Sequence, residues 1–534
     1  MDDPRELERL IDRLAAPGAL PGAADGPVEV VQTHISAVFL SGTRAFKLKK
    51  PVDFGFLDFS TRERRAHFCR EELRLNRRLS PDTYLGLCPV WWRGDDVEVG
   101  PPVENPPPCD ELLVAMERLP ADRMMDRLLE RDAVEPVSVE RLARLVAAFH
   151  TRAGAGEDVA RFGTRENAGR HALDNFDQTA RFRGELFDAG RHARMRSRTA
   201  GFLETRERLF AGRIQQGRIR DGHGDLHSPN ICLPADGRIV VYDCIEFSPA
   251  YRCIDVASEV AFLEMDLEFR GRPDLGRLFV QTYNAVAEDP TLESMLPFYR
   301  SYRAMVRAKI SALTSAAEEV APAVRARAAE NARALFDLAD QYTLGMTPPR
   351  LVVLAGPTGV GKSSIARELQ RRAGLCPLET DRIRKRLAGL DPDQPAPASF
   401  SKGIYTPAMT QATYRALGRE ALDRLQRGES ALAVGTFLAR EQREIVRDVA
   451  AKARTPLLFV RLSAPEAVIV ERLTSRPAGM SDADVEVYRS MITREEQPDE
   501  ISGSERLDLD TGAAAPAEVA LAILERLRGS FENT

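Results

Sequence analysis

The sequence predicts two different folds on one chain: an α+β domain of two lobes, followed by an α/β domain with a mostly parallel sheet. Three observations lead to this prediction. At 534 residues the chain is too long for one ordinary hydrophobic core. Its first part runs from strand-like segments into a long and mainly helical stretch. Its last part opens with a buried strand, a glycine-rich loop and a helix.

Composition limits the class of protein. Hydrophobic residues make up 43% and charged residues 29%, which is typical of globular chains. The net charge of −5 is mild, so we expect neither a nucleic-acid nor a membrane partner. The N-terminus lacks an apolar signal core, no apolar run is long enough to cross a bilayer, and the seven cysteines form no CxxC pair. These features predict a cytoplasmic protein with free thiols.

The elements of the first domain follow one another in a readable order. Residues 1–27 predict a surface helix that ends at the turn APGALPG. From Val28 the segments VEVVQ, AVFL and AFKLKK predict strands, and Thr61 to Leu79 predict an amphipathic helix. A hairpin at PVWWRGDDVEVG and the strand LLVAMERL follow, and after them the chain turns helical. We therefore predict a first domain over 28–345, with lobes at about 28–118 and 119–345, and a second over 346–534.

A polar loop, DGHGDLHSPN at 221–230, interrupts the helical stretch and precedes the apolar segment VVYD. Asp225 supplies a carboxylate that can accept a hydroxyl proton, Asn230 an amide oxygen for Mg²⁺, and Asp243 a second metal-binding carboxylate. The spacing matches the protein-kinase catalytic loop, in which Asp and Asn are five apart and a metal-binding Asp follows a short hairpin. Any one of these residues could instead cap a turn, but the three together predict phosphoryl transfer with Asp225 as the base.

The strand segments supply partners for such a site. In the kinase arrangement a Lys on the third strand holds the α- and β-phosphates of ATP and pairs with a Glu on the next helix. AFKLKK offers Lys47 or Lys49; we favour Lys47, because strand alternation places it on the face of Ala45. Glu72 is the predicted partner. No glycine-rich loop precedes Lys47, but Ser36, in THIS between the first two strands, could cover the phosphates of the nucleotide.

These motifs resemble those of aminoglycoside-phosphotransferase-type kinases, over about residues 28 to 340. The motifs that show the resemblance are HGDLHSPN, YDCIEF and YRCIDVASEVAFLEMDLE. The resemblance implies an ATP- and Mg²⁺-dependent kinase that phosphorylates a hydroxyl group of a small molecule. It also implies that Asp255 opens a helix and supports the catalytic loop.

A second phosphate-binding motif begins after the strand LVVLAG. GPTGVGKSS fits the pattern G-x-x-x-x-G-K-[ST], in which glycines let the backbone wrap phosphates at a helix N-terminus. Lys362 is predicted to hold the β- and γ-phosphates and Ser363 to bind Mg²⁺. The residues predicted to contact the nucleotide are Gly356, Thr358, Gly359, Val360, Gly361, Lys362, Ser363 and Ser364.

The remainder of the second domain is similar to the gluconate-kinase, chloramphenicol-phosphotransferase and zeta-toxin-like group of P-loop kinases. The resemblance implies that Asp381 is an acceptor-site base or a carboxylate of the metal shell. It further implies that Arg472 and Arg476 belong to a lid that meets the transferring phosphoryl group. The sequence departs from this group at Val434, where relatives often carry an acidic residue.

The sequence therefore predicts a bifunctional phosphotransferase that uses ATP and Mg²⁺ and acts on small hydroxyl compounds. A second interpretation is a regulatory or sensing protein, in which one domain binds nucleotide without transferring phosphate. Val434 and the missing glycine-rich loop favour this second interpretation, whereas Asp225, Asn230 and Asp243 favour catalysis. A third is a toxin-like kinase that acts on nucleotide sugars through the second domain.

Overall fold

The structure is a computed structural model that describes residues 4–22, 27–55, 57–346, 349–391, 403–475 and 485–529. Its strands are β1 (Glu29–Gln32), β2 (Ser36–Ser41), β3 (Arg44–Lys49), β4 (Tyr84–Arg93), β5 (Asp96–Val99), β6 (Glu111–Glu117), β7 (Ile219–Asp221), β8 (Ile231–Cys232), β9 (Val240–Val241), β10 (Cys253–Asp255), β11 (Leu351–Ala355), β12 (Pro377–Glu379), β13 (Ala431–Val434), β14 (Leu457–Ser463) and β15 (Arg506–Asp510). Its helices are α1 (Pro4–Leu14), α2 (Arg62–Asn76), α3 (Met125–Glu130), α4 (Pro136–Arg152), α5 (Glu157–Ala160), α6 (Arg165–Gln178), α7 (Ala189–Thr205), α8 (Glu207–Gln215), α9 (Pro249–Arg252), α10 (Val256–Phe269), α11 (Pro273–Ala287), α12 (Leu292–Ala316), α13 (Pro322–Thr343), α14 (Lys362–Ala373), α15 (Thr380–Leu387), α16 (Pro407–Gln426), α17 (Arg440–Ala453), α18 (Glu466–Thr474), α19 (Val485–Ile492) and α20 (Pro516–Gly529).

The chain divides into two compact units that do not follow chain order. The first unit combines Met1–Gly163 with Gly217–Asp289, and the second combines Thr164–Gln216 with Pro290–Thr534. The second unit thus takes α6, α7, α8, α12 and α13 together with everything after residue 345. The predicted boundary between residues 345 and 346 stays a prediction.

The first unit opens with a six-stranded antiparallel sheet in the order β1-β2-β3-β6-β4-β5. Helix α2 begins after Thr61, whose side chain accepts a hydrogen bond from the N–H of Arg64. Side chains of Cys69 and Leu73 on α2 pack on one face of the sheet. Because residues alternate between faces along β3, the residues Ala45, Lys47 and Lys49 point to the side opposite Phe46.

The N-terminal helix lies on the sheet of the first unit. Residues 4–14 form the predicted helix α1, whose polar side is exposed. Leu10 and Leu14 are fully buried, and they pack with Ile11 against the face of the sheet that carries Phe39 and Phe46. Leu7, Leu10, Ile11 and Leu14 recur at the helical spacing of an apolar stripe, and this stripe covers the sheet face that α2 leaves open.

The rest of the first unit positions the polar loop. Two short antiparallel ribbons, β7 with β10 and β8 with β9, flank residues 221–230 and 242–252. Helix α10 is buried along almost its whole length, so its acidic residues face the interior. Buried carboxylates need hydrogen-bond donors, and the polar loop supplies them.

The second unit contains a five-stranded sheet in the order β12-β13-β11-β14-β15, and every neighbouring pair is parallel. The predicted parallel sheet is therefore confirmed. The central strands β11, β13 and β14 are mainly apolar on both faces, because one hydrophobic cluster with α14 and α20 covers one face and another with α16 and α17 covers the other. The glycine-rich loop joins the carboxyl end of the central strand β11 to α14.

Helices from earlier in the chain complete the second unit. The guanidinium of the buried Arg206, just after α7, donates to the carbonyl of Gly428 at 2.5 Å and to the hydroxyl of Ser430 at 3.1 Å. Arg300 of α12 donates to the carbonyl of Arg371, in the last turn of α14, at 2.7 Å. These bonds, made by long buried side chains, fix the helices to the P-loop part. No helix in the described residues is long and apolar enough to span a membrane.

Candidate active sites

The first site is built around two lysines of β3. Lys47 Nζ donates to Glu72 Oε1 at 2.9 Å, so the predicted pairing of these residues is present. Lys49, the alternative considered from the sequence, donates to the second oxygen of the same carboxylate, Oε2, at 2.6 Å. The two lysines share Glu72 because residues two apart on a strand point to the same face.

Asp243 joins this cluster from the segment that follows β9. Its Oδ1 accepts from Lys47 Nζ at 2.7 Å, and its side chain is 46% exposed, whereas that of Lys47 is 12% exposed. The backbone of Asp243 has φ +62, a left-handed conformation that Asp tolerates better than most residues. The hydroxyl of the buried Tyr84 accepts a hydrogen bond from the N–H of Asp243 at 3.2 Å and stabilises this conformation.

Neighbouring charges determine the protonation states of Lys47 and Asp243. Burial lowers the pKa of Lys47, but the carboxylates of Asp243 and Glu72 outweigh burial and hold that pKa well above its usual range. Burial raises the pKa of Asp243, but Lys47 reverses this and lowers it. Lys47 is therefore a cation, and Asp243 an anion, throughout the neutral pH range.

Asp225 and Asn230 lie together in the polar loop. Asn230 Nδ2 donates to Asp225 Oδ2 at 2.9 Å and to the Asp225 carbonyl at 3.0 Å. Asn230 ends a short 3₁₀ turn, and its carbonyl accepts from the N–H of Tyr242 at 3.1 Å, which brings it next to the backbone of Asp243. The side chain of Asp225 is 37% exposed, so solvent and solutes reach its carboxylate.

Glu259 of α10 holds the loop in place. Its carboxylate is 1% exposed, and it accepts from the backbone N–H of His223 at 2.5 Å and of Gly224 at 2.6 Å. Its other oxygen contacts His150 Nε2 at 2.8 Å. Burial raises the pKa of Glu259, but the hydrogen bond and charge of His150 outweigh burial and lower that pKa to about 2. Glu259 therefore anchors the two residues that precede Asp225.

The sequence did not predict Glu259. Asp255 opens α10 as expected, because its Oδ1 accepts from the N–H of Ala257 at 2.9 Å. The loop contacts, however, come from Glu259 and from Asp266, whose Oδ2 accepts from the N–H of Ser228 at 3.0 Å. The signal was available: the largely apolar stretch 255–269 carries five acidic residues, Asp255, Glu259, Glu264, Asp266 and Glu268.

Ser36 begins β2 directly after a tight turn. Its hydroxyl lies 3.0 Å from that of Thr33, and Thr33 Oγ1 also accepts from the N–H of Ser36 at 3.0 Å. Ser36 is 3% exposed. Residues 33–35 connect β1 to β2, and the role of Ser36 in covering phosphates stays a prediction.

The first site suits Mg²⁺ by the chemistry of its donors. With its amide nitrogen bonded to Asp225, Asn230 presents its amide oxygen as a ligand, and Asp243 presents a half-exposed carboxylate. Mg²⁺ is usually held by one or two such oxygen ligands together with substrate phosphates and water. No group of three or more His, Cys, Asp or Glu residues that could hold a metal occurs among the described residues.

The second site is the loop between β11 and α14. Gly356, Gly359 and Gly361 have φ values of +146, +87 and +91, which only glycine adopts readily. A Cβ on Gly359 would lie 2.7 Å from Ile469, so this position also needs glycine for space. Lys362, the first residue of α14, donates from Nζ to the carbonyls of Gly356 and Pro357 at 2.8 and 2.7 Å.

The other predicted loop residues occupy the positions that the motif requires. Thr358 and Val360 lie in the turn, and Ser363 and Ser364 lie in the first turn of α14. The carbonyl of Val360 accepts a hydrogen bond from the hydroxyl of the buried Thr511 at 2.9 Å, and this bond stabilises the loop. The amino end of α14 is thus directed at the loop, where the helix dipole favours an anion.

Asp381 lies at the same carboxyl edge of the sheet, just after β12. Its Oδ1 accepts from the hydroxyl of Tyr405 at 3.0 Å, and its Oδ2 pairs with Lys385 at 3.0 Å. The ring of Tyr405 lies 4.9 Å from the guanidinium of Arg384. The sequence did not single out Tyr405 or Lys385, although Lys385 is four residues from Asp381, a spacing that pairs side chains on a helix.

Val434 ends β13, next to the loop-bearing strand. It is 4% exposed and lies opposite Leu354 in the parallel ladder. After it, the carbonyl of Thr436 accepts from the N–H of Gly356 at 3.2 Å, and the hydroxyl of Thr436 lies 3.1 Å from that of Tyr414. At the end of β13 the chain therefore presents the buried side chain of Val434 and the hydroxyl groups of Thr436 and Tyr414, and position 434 carries no carboxylate.

The predicted lid arginines have different outcomes. Arg472 lies on α18 and donates to the carbonyl of Thr511 at 2.6 Å and to its hydroxyl at 3.3 Å. Through Thr511 it is connected to Val360 of the loop. Arg476 lies outside the described residues, so the role of both arginines at a phosphoryl group stays a prediction.

The comparisons with known proteins place the chain in a family. The uncharacterized protein Rv2004c of Mycobacterium tuberculosis is 31% identical over 468 residues, which are 88% of this chain and 90% of that protein. The same identity and coverage hold for the uncharacterized protein Mb2027c of Mycobacterium bovis. The chain belongs to the family of these mycobacterial proteins.

The AAA domain family model matches residues 351–498, so the predicted P-loop domain is confirmed there. Among solved structures, a gluconokinase from Sinorhizobium meliloti is 23% identical over 35% of this chain and 95% of its own length, with a TM-score of 0.26. A choline/ethanolamine kinase family protein from Mesorhizobium loti is 13% identical over 64% of this chain and 98% of its own length, with a TM-score of 0.37.

Proposed function

We propose that the chain is an ATP- and Mg²⁺-dependent phosphotransferase whose first site phosphorylates a hydroxyl group of a small molecule. The observation that carries the proposal is the convergence of five predicted residues in one unit. Lys47 pairs with Glu72 and Asp243, and Asp225 is joined to Asn230, whose backbone is bonded next to Asp243. Structural ion pairs alone do not require an exposed carboxylate beside an amide, whereas phosphoryl transfer does.

Each residue has a proposed task. Asp225 accepts the proton of the acceptor hydroxyl, because its carboxylate is reachable from solvent and oriented by Asn230. Lys47 binds the α- and β-phosphates of ATP, and Glu72 holds Lys47 in place. Asn230 and Asp243 would hold Mg²⁺, which when bound neutralises charge on the phosphates. The motifs HGDLHSPN and YDCIEF favour the aminoglycoside-phosphotransferase type of kinase over the protein-kinase type.

The second site is proposed to bind ATP through Gly356 to Ser364. The AAA domain match and the conformation of the loop glycines support nucleotide binding. Transfer of phosphate from this site would use Asp381, with Ser363 as the ligand of Mg²⁺. If Asp381 supports phosphate transfer, this domain is a gluconokinase-like kinase and the chain is bifunctional.

The competing proposal makes the second site regulatory. The observation that favours it is Val434, because a buried valine at the end of β13 cannot polarise a metal-bound water. The pairing of Asp381 with Lys385 and Tyr405 also occupies both oxygens of the remaining carboxylate. In this version the second unit binds ATP and controls the first site.

A metabolite-extract screen for new phosphorylated products tests the proposal. Wild-type protein, Asp225→Ala and Lys362→Ala are incubated with ATP, Mg²⁺ and a small-molecule extract, and products are read by mass spectrometry. Asp225→Ala is expected to lose first-site products by about 10²- to 10⁴-fold, the usual contribution of a general base. First-site products that persist in Asp225→Ala at the wild-type rate would refute the assignment. Products lost only in Lys362→Ala belong to the second site and favour bifunctionality.

A further inference from the structure

The two lysines of β3 belong to a ring of ion pairs that begins and ends on one short segment. Asp243 binds Lys47 at 2.7 Å, and Lys47 binds Glu72 at 2.9 Å. Glu72 binds Lys49 at 2.6 Å, and Lys49 binds Glu246. Glu246 is three residues after Asp243, so the backbone of residues 243–246 closes the ring.

Burial divides the ring into two unlike ends. Asp243 is 46% exposed and Lys47 12% exposed, whereas Lys49, Glu72 and Glu246 are between 1% and 6% exposed. Only the first end can reach a nucleotide. Lys49, Glu72 and Glu246 form the buried second end, which we call the sealed end. There Lys49 Nζ lies 4.7 Å from the centre of the Phe59 ring, which covers it.

From this division we propose that Lys49 and Glu246 are positioning residues, which set the placement of Lys47 and Asp243 for ATP and Mg²⁺ from the sealed end of the ring. The inference rests on the phosphotransfer function proposed for the first site. Lys49 takes one oxygen of Glu72, which leaves Lys47 a single bond to that carboxylate. Glu246 ties the segment of Asp243 to the same lysine.

Lys49 stays protonated at neutral pH. Burial lowers the pKa of Lys49, but Glu246 and Glu72 outweigh burial and raise that pKa above its usual value. A protonated Lys49 donates to Glu246 and to the second oxygen of Glu72 at once, so that second oxygen of Glu72 is not available to Lys47. Without Lys49, Glu72 would be free to bind Lys47 with both oxygens and draw it away from the phosphates of ATP.

The test uses the full chain with Lys362→Ala as the parent, so that only the first site is measured. Affinity for ATP is measured by calorimetry at increasing Mg²⁺. The double variant Lys49→Met/Glu246→Leu removes the sealed pair without leaving a lone buried charge, which proteins generally tolerate. We expect its ATP dissociation constant and its half-saturating Mg²⁺ to rise together by about tenfold or more, as for other residues that orient ligand-binding groups.

Three controls accompany the ATP-binding measurement on the double variant. Glu71→Gln, which alters the partly exposed neighbour of Glu72 that pairs with Arg74, is expected to match the parent. Lys49→Arg keeps the charge and is expected to recover part of the affinity. Thermal unfolding without nucleotide shows that the double variant is folded; if it is not, Glu246→Gln, which preserves shape, takes its place.

The outcomes separate the inference from the proposed function. A folded variant that binds ATP and Mg²⁺ as tightly as the parent overturns the positioning role while the first site stands. A parent that binds no ATP overturns the function proposed for the first site, and the inference with it. Weaker binding in the sealed-pair variant, with parent-like binding in Glu71→Gln, supports the inference.

Discussion

The two candidate sites hold their phosphate-binding lysines in opposite ways. Lys47 is bonded to carboxylates of Glu72 and Asp243, which lie 25 and 196 positions away along the chain. Lys362 is bonded to backbone carbonyls of Gly356 and Pro357, only six and five positions away. The first site therefore depends on packing of distant segments, whereas the second is a local structure set by glycine conformation. Substitutions in supporting residues should disturb the first site more than the second.

The largest expected effect comes from replacing each lysine separately. Lys47→Met removes the cation that Glu72 and Asp243 share and leaves Glu72 paired with Lys49 alone, so we expect ATP affinity at the first site to fall by about 100-fold or more. Lys362→Met should do the same at the second site only. Calorimetry of both variants measures this, and a substitution that weakens both sites equally would contradict two independent sites.

The second-largest effect is expected at Glu259, which holds the polar loop at 221–230 in place. Glu259→Gln removes the charge that binds the His223 and Gly224 N–H groups and His150, and we expect a loss of about 2 kcal/mol of stability in the first unit. Turnover at the first site should fall with it. Urea unfolding of Glu259→Gln measures the loss of stability, and product formation measured in parallel gives the turnover. ATP binding at the second site, through Lys362, should be unchanged in this variant.

Glu259 also predicts an acid dependence. Its pKa is lowered from 4.5 to about 2 in the folded chain. A depressed carboxyl pKa stabilises the fold above the unfolded value, so this contribution is complete above about pH 4.5 and disappears as the pH falls toward 2. Stability measured from pH 6 to 3 should therefore drop less steeply in Glu259→Gln than in wild type; equal slopes would assign the acid sensitivity to other groups.

A smaller effect is expected from the helices that complete the second unit. Burial lowers the pKa of Arg206 to about 10, although nearby Glu429 opposes this, and Arg206 holds Gly428 and Ser430. Arg206→Ala should cost roughly 2 kcal/mol in the second unit, seen as a lower unfolding temperature. Arg208→Ala is the matched control, because its bond to the Gln426 carbonyl is long, 3.4 Å, and exposed. Equal losses in the two variants would contradict a supporting role for Arg206.

The smallest expected effect compares two helix caps. Thr61 caps α2 and Thr406 caps α16, each by accepting a backbone N–H at 3.3 Å. Replacing either with Ala should cost about 1 kcal/mol. Only Thr61→Ala disturbs the helix that carries Glu72, so only it should weaken ATP binding at the first site. A similar loss at the second site in Thr406→Ala would argue against the contrast between the sites.

Sequence reasoning succeeded where a pattern was local or where spacing limited the choices. The strand, loop and helix around Lys362 followed from the positions of three glycines, and the parallel sheet followed from continuous apolar runs such as LVVLAG. The contact of Lys47 with Glu72 followed from strand alternation and the order of elements. Their roles in catalysis stay predictions.

Other features needed the folded chain. Nothing local in the sequence shows that Lys49 and Glu246 meet, because the contact joins β3 to a loop 197 positions away. The apolar stripe of α1 is readable from the sequence, but the sheet face on which it packs is not. The grouping of α6 to α8 with the second unit includes contacts of the buried Arg206 with Gly428 and Ser430, and sequence patterns treat arginines as surface residues.

The number of ATP molecules bound per chain tests the central claim most directly. Titration with a non-hydrolysable ATP analogue and Mg²⁺ should give two per wild-type chain, one for Lys47→Met, one for Lys362→Met, and none for the double variant. A single binding event in wild type, or the loss of both events through one substitution, would contradict two separate nucleotide sites.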